Sequence, residues 1–515
     1  MTSLDIRSSS CSLGSLLPDV DLNETLAKVK ISGICLDSRL VGPGDLFFAV
    51  PGFSKDGRDY ILSSLQSGAE VVLCHSDNYY SLENKKVVPI TNLNKKISEI
   101  SGRFYSNPSR KMSLTGITGT NGKTTCTQLL AEIFSAVDGS AGIIGTLGYG
   151  RITAKNRVLK DKGMTTPDPV TIQAVLASFV DSNIDRVVME VSSHSISQSR
   201  VKSLLFDTAI FTNLSHDHLD YHGDLTSYSI IKKEFFFMPG LKNAIINEDD
   251  PVGLEITKEL PLSVNKISFS LVNPKATIYA DRIDLSISGI TARVKTPWGR
   301  SQLKSKLIGK FNLLNLLAVI GAACSQGLDF LKVIKLLSLL ESIPGRMEII
   351  PNLIDKGYEK YSDPKVIVDF AHTPDALENV LETLRGYCSG KLWCVFGCGG
   401  ERDKEKRPKM GKIANQLADN IIVTNDNPRE ENPEIIAKEI FSGIAFTEST
   451  GASVAKIIFD RREAINFAIK SAGQGDIVLI AGKGHELYQF IGSQKLSFSD
   501  KTESKMALKN REMQA

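Results

Sequence analysis

Residues 116–125 read Gly-Ile-Thr-Gly-Thr-Asn-Gly-Lys-Thr-Thr, and no other segment constrains the fold as tightly. It follows a β-branched stretch at 112–118. It runs into apolar residues at Leu129, Leu130, Ile133, Phe134 and Val137, which is helical spacing. A strand that ends in a glycine loop and opens a helix wraps phosphate oxygens in backbone N–H groups. Lys123 adds a point charge, and the hydroxyl of Thr124 can bind Mg²⁺. The first glycine of the strict pattern would fall on Ile117, with Gly116 and Gly119 on either side. A chance glycine-rich turn has no need of Lys-Thr-Thr at a helix start, so the segment predicts a bound nucleoside triphosphate.

At 515 residues the chain predicts about three domains. With 42% hydrophobic and 23% charged residues it has an enzyme-like globular composition, and a formal charge of +3 gives no electrostatic reason to expect nucleic acid. The cysteines at 11, 35, 74, 126, 324, 388, 394 and 398 form no CxxC pair, which argues against zinc and for reduced thiols in a cytoplasmic chain. No basic segment precedes an apolar core at the start, so no signal peptide is expected. The longest apolar stretch, 313–324, is short and interrupted by Asn315, so no membrane insertion is expected either.

Turn residues separate short strand candidates at 34–39 and 43–50, and Asn107-Pro108-Ser109 reads as a linker closing a first unit at 1–108. A second unit spans 109–343 and ends near Ser342-Ile-Pro-Gly345. The third, 344–515, carries apolar strand candidates at 366–369, 392–396, 421–424 and 477–481, each followed by polar or glycine-rich residues and then a helical pattern. That order implies α/β architecture with parallel sheets, in which ligands sit at the carboxyl ends of the strands. All four polar segments would then gather along one edge, the candidate acceptor site.

Inside the apolar strand 186–191, Glu190 is costly unless paired or bound to metal; Mg²⁺ and a neighbouring Arg are both possible partners. Just downstream, 212–222 holds three of the seven histidines. A triple-histidine zinc site is one reading. Because Mg²⁺ prefers oxygen donors and a phosphate loop lies in the same unit, one histidine assisting Mg²⁺ is favoured.

Together these residues resemble the Mur ligase family, ATP-dependent amide-bond-forming enzymes of peptidoglycan precursor synthesis. Gly119-Thr120-Asn121-Gly122-Lys123-Thr124-Thr125, Glu190-Val-Ser-Ser-His194 and Asp217-His218-Leu-Asp220 stand in the family's order. Gly309-Lys-Phe-Asn312-Leu-Leu-Asn315 is similar to its adenine-contacting segment, Gly345-Arg346-Met347-Glu348 to its entry into the third domain, and Asp369-Phe-Ala-His-Thr-Pro374 matches as well. The resemblance implies a small N-terminal α/β domain for the UDP-sugar, a central P-loop-type ATPase domain with a parallel sheet, and a Rossmann-like C-terminal domain for the amino acid. It also implies a cytoplasmic monomer using ATP and Mg²⁺.

The resemblance further implies substrates and their residues. UDP-N-acetylmuramoyl-L-alanyl-D-glutamate would lie against Leu36, Ser38, Thr165, Thr166, Ser192, Gln198 and Arg200, although each single Ser or Thr also reads as a cap or turn. ATP would meet the phosphate loop with Asn312, Asn315, Arg346 and Asp369. Lys123, Glu190, His218 and Lys232 would be catalytic. Mg²⁺ would be held by Thr124, Glu190, His218 and a carbamylated Lys232, chosen over Lys233 by its spacing after Tyr228. Meso-diaminopimelate would meet Arg402, Asp426-Asn427-Pro428-Arg429, Gly482 and Glu486. An isolated Asp-Asn-Pro-Arg is usually a turn, but its place after the strand 421–424 raises its interest. Arginine there suits the distal carboxylate that lysine lacks. The reaction implied is phosphoryl transfer to the D-glutamyl side chain, then amine attack on the acyl phosphate. A ligase adding L-lysine or another amino acid is the rival within the family, and a nucleotide-driven switch the rival outside it.

Overall fold

Strand and helix alternate through most of the chain, and a parallel run must bury both faces of its sheet, so helices cover each side. The computed structural model describes residues 10–52, 55–76, 84–160, 163–215, 217, 219–351, 364–444 and 454–512. Among them three main sheets follow one another along the chain.

The first sheet is parallel and in chain order: Gly33–Cys35, Asp45–Ala49, Val71–His75 and Val87–Ile90. The helix Leu93–Phe104 buries Ile97, Ile100 and Phe104 in its core, and Val170 of the next unit packs into that same core. On the helix's outer side Ser98 Oγ meets Ser203 Oγ at 2.7 Å, which ties the first unit to the second.

In the eleven-stranded central sheet, Ser113–Thr118 lies between Arg186–Glu190 and Thr208–Phe211, all parallel. The parallel run extends from Ala141–Gly145 to Ile278–Ser286, and antiparallel strands continue it at both edges. From Ser113–Thr118 the chain passes to one side of the sheet and later resumes on the other with Thr208–Phe211. That reversal opens a crevice at the carboxyl ends of these strands. The apolar stretch 313–324 forms most of the helix Lys310–Ser325, whose Leu313, Leu316, Leu317 and Ile320 are fully buried beside the helix Lys123–Asp138. No described helix is long and apolar enough to cross a membrane.

The third sheet orders Glu348–Ile350, Lys365–Asp369, Ile477–Ala481, Leu392–Phe396, Asn420–Val423 and Val454–Ile457, parallel apart from the first. The four strands expected from apolar runs are present within a residue of their expected bounds. Glu348–Ile350 and the half-exposed edge strand Val454–Ile457 were not anticipated. The carboxyl ends of the four strands bring Asp369, Gly397, residues 426–429 and Gly482 to one edge.

Behind that edge, the fully buried Arg461 and Asp500 pair at 2.7 and 2.8 Å, and Arg461 Nη2 also donates to the Ala481 carbonyl at 2.8 Å. Removing one partner strands a charge out of water, so Arg461→Ala should cost about 3–5 kcal/mol. Urea unfolding of the third unit checks this, followed through the buried Trp393 in a Trp298→Phe background. A midpoint equal to that of the parent would contradict it.

Candidate active site

The phosphate loop leaves its strand through Gly119 (φ +146°) and enters its helix through Gly122 (φ +86°), conformations open to glycine and strained for other residues. A side chain at Gly119 would also collide with the Thr212 hydroxyl. The neighbouring strand end holds the loop: Thr120 N donates to Asn213 O at 2.8 Å and Asn121 N to Asn213 Oδ1 at 2.9 Å. Lys123 Nζ folds over the loop onto the carbonyls of Gly119 and Thr120, both at 2.8 Å. Burial pushes its pKa down, while Glu190 and Asp217 pull it back up.

Glu190 is fully buried at the end of its strand, and its partners are hydroxyls rather than an Arg. Thr124 Oγ1 donates to it at 3.1 Å, Thr146 Oγ1 at 2.9 Å and Thr146 N at 2.8 Å. Converging Thr124 and Glu190 oxygens are the hard donors that suit Mg²⁺. Arg346, from the third unit, donates from Nη2 to Thr124 Oγ1 at 3.1 Å and lies 4.4 Å over the Phe370 ring. Its Nε is buried without a partner among the described residues, a free donor suited to an anionic phosphate.

Lys232 points inward, 1% exposed, with Nζ 2.9 Å from the Gly119 carbonyl and 4.7 Å over the Tyr228 ring. Burial, and then the nearby Lys123, push its pKa well below the ordinary lysine range. Lys233 turns outward to Glu255 and Glu259. His216 and His218 lie outside the described residues. His222 stacks on Tyr228 at 5.0 Å, and its Nε2 sits 2.9 Å from Ser193 Oγ.

Between the central and third units lies a cleft of about 330 Å³. Asn121, Gly122, Thr125, Asn312 and Asn315 line one wall; Arg346, Asp369, His372 and Asp375 line the other. Asn315 Nδ2 donates to Asn312 Oδ1 at 3.1 Å, and the Asn315 amide sits against Gly122. Asp369 accepts from Met347 N and Ala371 N, both at 2.7 Å; burial pushes its pKa up against these donors and Arg346. Asp375 was not singled out in the sequence, where Thr-Pro-Asp reads as a helix start. Its Oδ2 takes Asn121 Nδ2 at 2.9 Å and Ser215 Oγ at 2.8 Å, bridging the third unit to the phosphate loop.

On the far side of Glu190, Thr166 Oγ1 donates to the Glu190 carbonyl at 2.9 Å and accepts from Ser192 N at 3.1 Å. Thr165 Oγ1 sits 3.2 Å from Thr146 Oγ1. Arg200 donates to Thr166 O at 2.8 Å and to Gln198 Oε1, and Gln198 Nε2 reaches Tyr221 OH at 3.2 Å. Ser192 Oγ caps the short helix Ser193–Ser197, the ordinary role for a serine there. Leu36 and Ser38 stand just past the strand Gly33–Cys35, half-buried.

At the edge of the third sheet, Gly482 N donates to Asp369 O at 3.1 Å, so the acceptor edge adjoins the nucleotide cleft. Asp426 lies against Gly482. Buried Asn427 donates from Nδ2 to Glu486 Oε2 at 2.9 Å; Pro428 is buried beside it. Arg429 (φ +53°) donates from Nη1 to Gly400 O at 2.7 Å, and Arg402 is exposed on the same Gly-rich loop. Lys483, overlooked in the sequence although it lies inside Gly-Lys-Gly-His-Glu, is fully buried at the centre of this edge.

Family models match along the chain: "Mur ligase family, catalytic domain" at 30–105, "Mur ligase middle domain" at 117–323 and "Mur ligase, glutamate ligase domain" at 345–484. The chain belongs to the Mur ligase family. As a Mur ligase it is an ATP-dependent, amide-bond-forming enzyme. It is 42% identical over 500 residues to the UDP-N-acetylmuramoyl-L-alanyl-D-glutamate--2,6-diaminopimelate ligase of Coxiella burnetii, covering 96% of this chain and 99% of that one. The ligase of the same name from Ectopseudomonas mendocina is 43% identical over 498 residues, covering 96% and 98%. A solved structure bearing that ligase name shares 32% identity at a TM-score of 0.68, covering 98% of this chain and all of the other. A MurF ligase from Thermotoga maritima in complex with ADP shares the fold at 18% identity and a TM-score of 0.61, covering 94% and 98%.

Proposed function

We propose that this Mur ligase joins meso-diaminopimelate to UDP-N-acetylmuramoyl-L-alanyl-D-glutamate at the expense of ATP. The observation that carries the reading is the shared edge of the third sheet. Asp369 of the nucleotide cleft and Gly482 of the acceptor segment are hydrogen-bonded neighbours, with Arg429 and Asn427 on the same edge. The whole-length likeness to ligases named for 2,6-diaminopimelate supports it.

Three domains, at 1–108, 109–343 and 344–515, divide the work. Leu36 and Ser38, with Thr165, Thr166, Ser192, Gln198 and Arg200, hold the UDP-sugar dipeptide. The loop at 119–125, Asn312, Asn315, Arg346 and Asp369 hold ATP in the cleft. Thr124, Glu190, His218 and a carbamylated Lys232 would hold Mg²⁺, which when bound would neutralise phosphate charge. Burial disfavours the charged form of the inward Lys232 amine, the direction that uptake of CO₂ needs. The γ-phosphoryl group passes to the D-glutamyl side-chain carboxylate, releasing ADP. The amine of diaminopimelate then attacks the acyl carbon, expels inorganic phosphate and loses a proton. The protein's share is positioning and charge neutralisation, the latter chiefly by Lys123. Arg402 and Arg429 clamp a carboxylate of the acceptor, and Gly482 and Glu486 face its distal amine.

Phosphate release by the full chain tests the reading. It should require ATP, the UDP-sugar dipeptide and meso-diaminopimelate together. Release that ignores the amino acid would contradict it.

A further inference from the structure

Lys483 is fully enclosed, between two glycines of positive φ, Gly482 (+113°) and Gly484 (+53°), which turn the lysine inward from the strand end. An ammonium taken out of water persists only where its partners compensate the lost hydration. Here Nζ donates to Asn427 Oδ1 at 3.0 Å and to Glu486 Oε2 at 2.7 Å. Asn427 Oδ1 accepts a second hydrogen bond, from Phe490 N at 2.9 Å, and Asn427 Nδ2 donates to the same Glu486 Oε2 at 2.9 Å.

This network has one orientation. Turning the Asn427 amide over would set its NH₂ group against an ammonium and a backbone N–H, so Oδ1 stays toward Lys483. One Nδ2 hydrogen goes to Glu486 and the other remains for a ligand. Glu486 Oε2 is taken twice, while Oε1 has no partner among the described residues. An N–H donor and an anionic acceptor therefore stand side by side, the pattern that complements a carboxylate and an ammonium on one carbon.

We propose that Lys483 is a positioning residue that sets this polarity and thereby selects an acceptor whose distal end is a zwitterionic amino-acid group. The inference rests on the acceptor reading above. It adds that discrimination for the distal amine depends on a lysine that the amine does not touch.

The test compares acceptors in steady-state phosphate release by the full chain, with ATP and the UDP-sugar dipeptide saturating. Meso-diaminopimelate is set against 2-aminopimelate, which keeps both carboxylates and lacks the distal amine. In Lys483→Met the KM for meso-diaminopimelate should rise by about 10- to 100-fold, the scale of hydrogen bonds to charged groups. The KM for 2-aminopimelate should rise several-fold less, because it keeps the carboxylate that faces Asn427 but has no distal amine for Glu486 to hold, so the preference between them collapses, while the KM for ATP holds. Where Lys483→Met gives no soluble protein, Lys483→Gln removes the charge with a donor kept and should show the same collapse. An unchanged preference overturns the role, whether neither acceptor is affected or both weaken equally as for a merely structural residue. Parent enzyme that releases no phosphate with meso-diaminopimelate overturns the acceptor reading, and the role of Lys483 with it.

Discussion

Lys123→Ala should lower ligation at saturating substrates by about 10³-fold or more, with the fold retained. The rate loss follows from where the ammonium sits. Its Nζ lies over the carbonyls of Gly119 and Thr120, at the mouth of the loop whose backbone would cradle the phosphates. The other cation nearby, Arg346, reaches Thr124, while Lys232 shares the Gly119 carbonyl and, once carbamylated, carries no positive charge. Arg346 cannot move into the vacated position without giving up its bond to Thr124. The fold should survive because the loop's shape depends on Gly119, Gly122 and the Asn213 bonds, none of which uses Lys123. Circular dichroism and a thermal midpoint within a few degrees of the parent would establish the second half. Substantial residual ligation would remove Lys123 from the chemistry.

The second large effect is expected at Arg429. Arg429→Ala should reduce kcat/KM for meso-diaminopimelate by about 10³-fold, with the KM for ATP nearly unchanged. Among the described residues the guanidinium meets only carbonyl oxygens, those of Gly400 at 2.7 Å and Asn427 at 3.4 Å. Its charge is thus held in place without a carboxylate to neutralise it, as a clamp for a ligand carboxylate requires. Alanine takes on the same left-handed backbone as arginine, so the substitution adds no new strain to the loop. The backbone bonds between Arg429, Phe490 and Gly492 also stay. Use of L-lysine should fall far less, since it has no distal carboxylate to lose. An equal loss for both amino acids would count against the clamp.

The parts of this site that are legible in sequence are those where local chemistry and backbone geometry agree. Two glycines with positive φ, a lysine and a threonine at a helix start can be read without a fold. So can apolar strands such as Leu392–Phe396, buried at every residue. Less legible are residues whose meaning comes from distant partners. Lys232 and Lys233 are adjacent and chemically alike; only the turn of the helix over Tyr228 sends one inward and the other to Glu255 and Glu259. Asp375 bridges to Asn121 across 254 positions, and Lys483 to Asn427 across 56. The strands from Ile278–Ser286 to Gly299–Ser305 carry many charged and hydroxyl side chains, because one face is open to water, and their apolar signal is correspondingly weak.

The amino acid that the third sheet's edge accepts decides which bond this Mur ligase makes. The most direct measurement offers the full chain equal concentrations of meso-diaminopimelate and L-lysine with ATP, Mg²⁺ and the UDP-sugar dipeptide, and weighs the product by mass spectrometry. The predicted result is a UDP-sugar tripeptide carrying diaminopimelate, with little or no lysine product. A product dominated by lysine, or none with either amino acid, would contradict it.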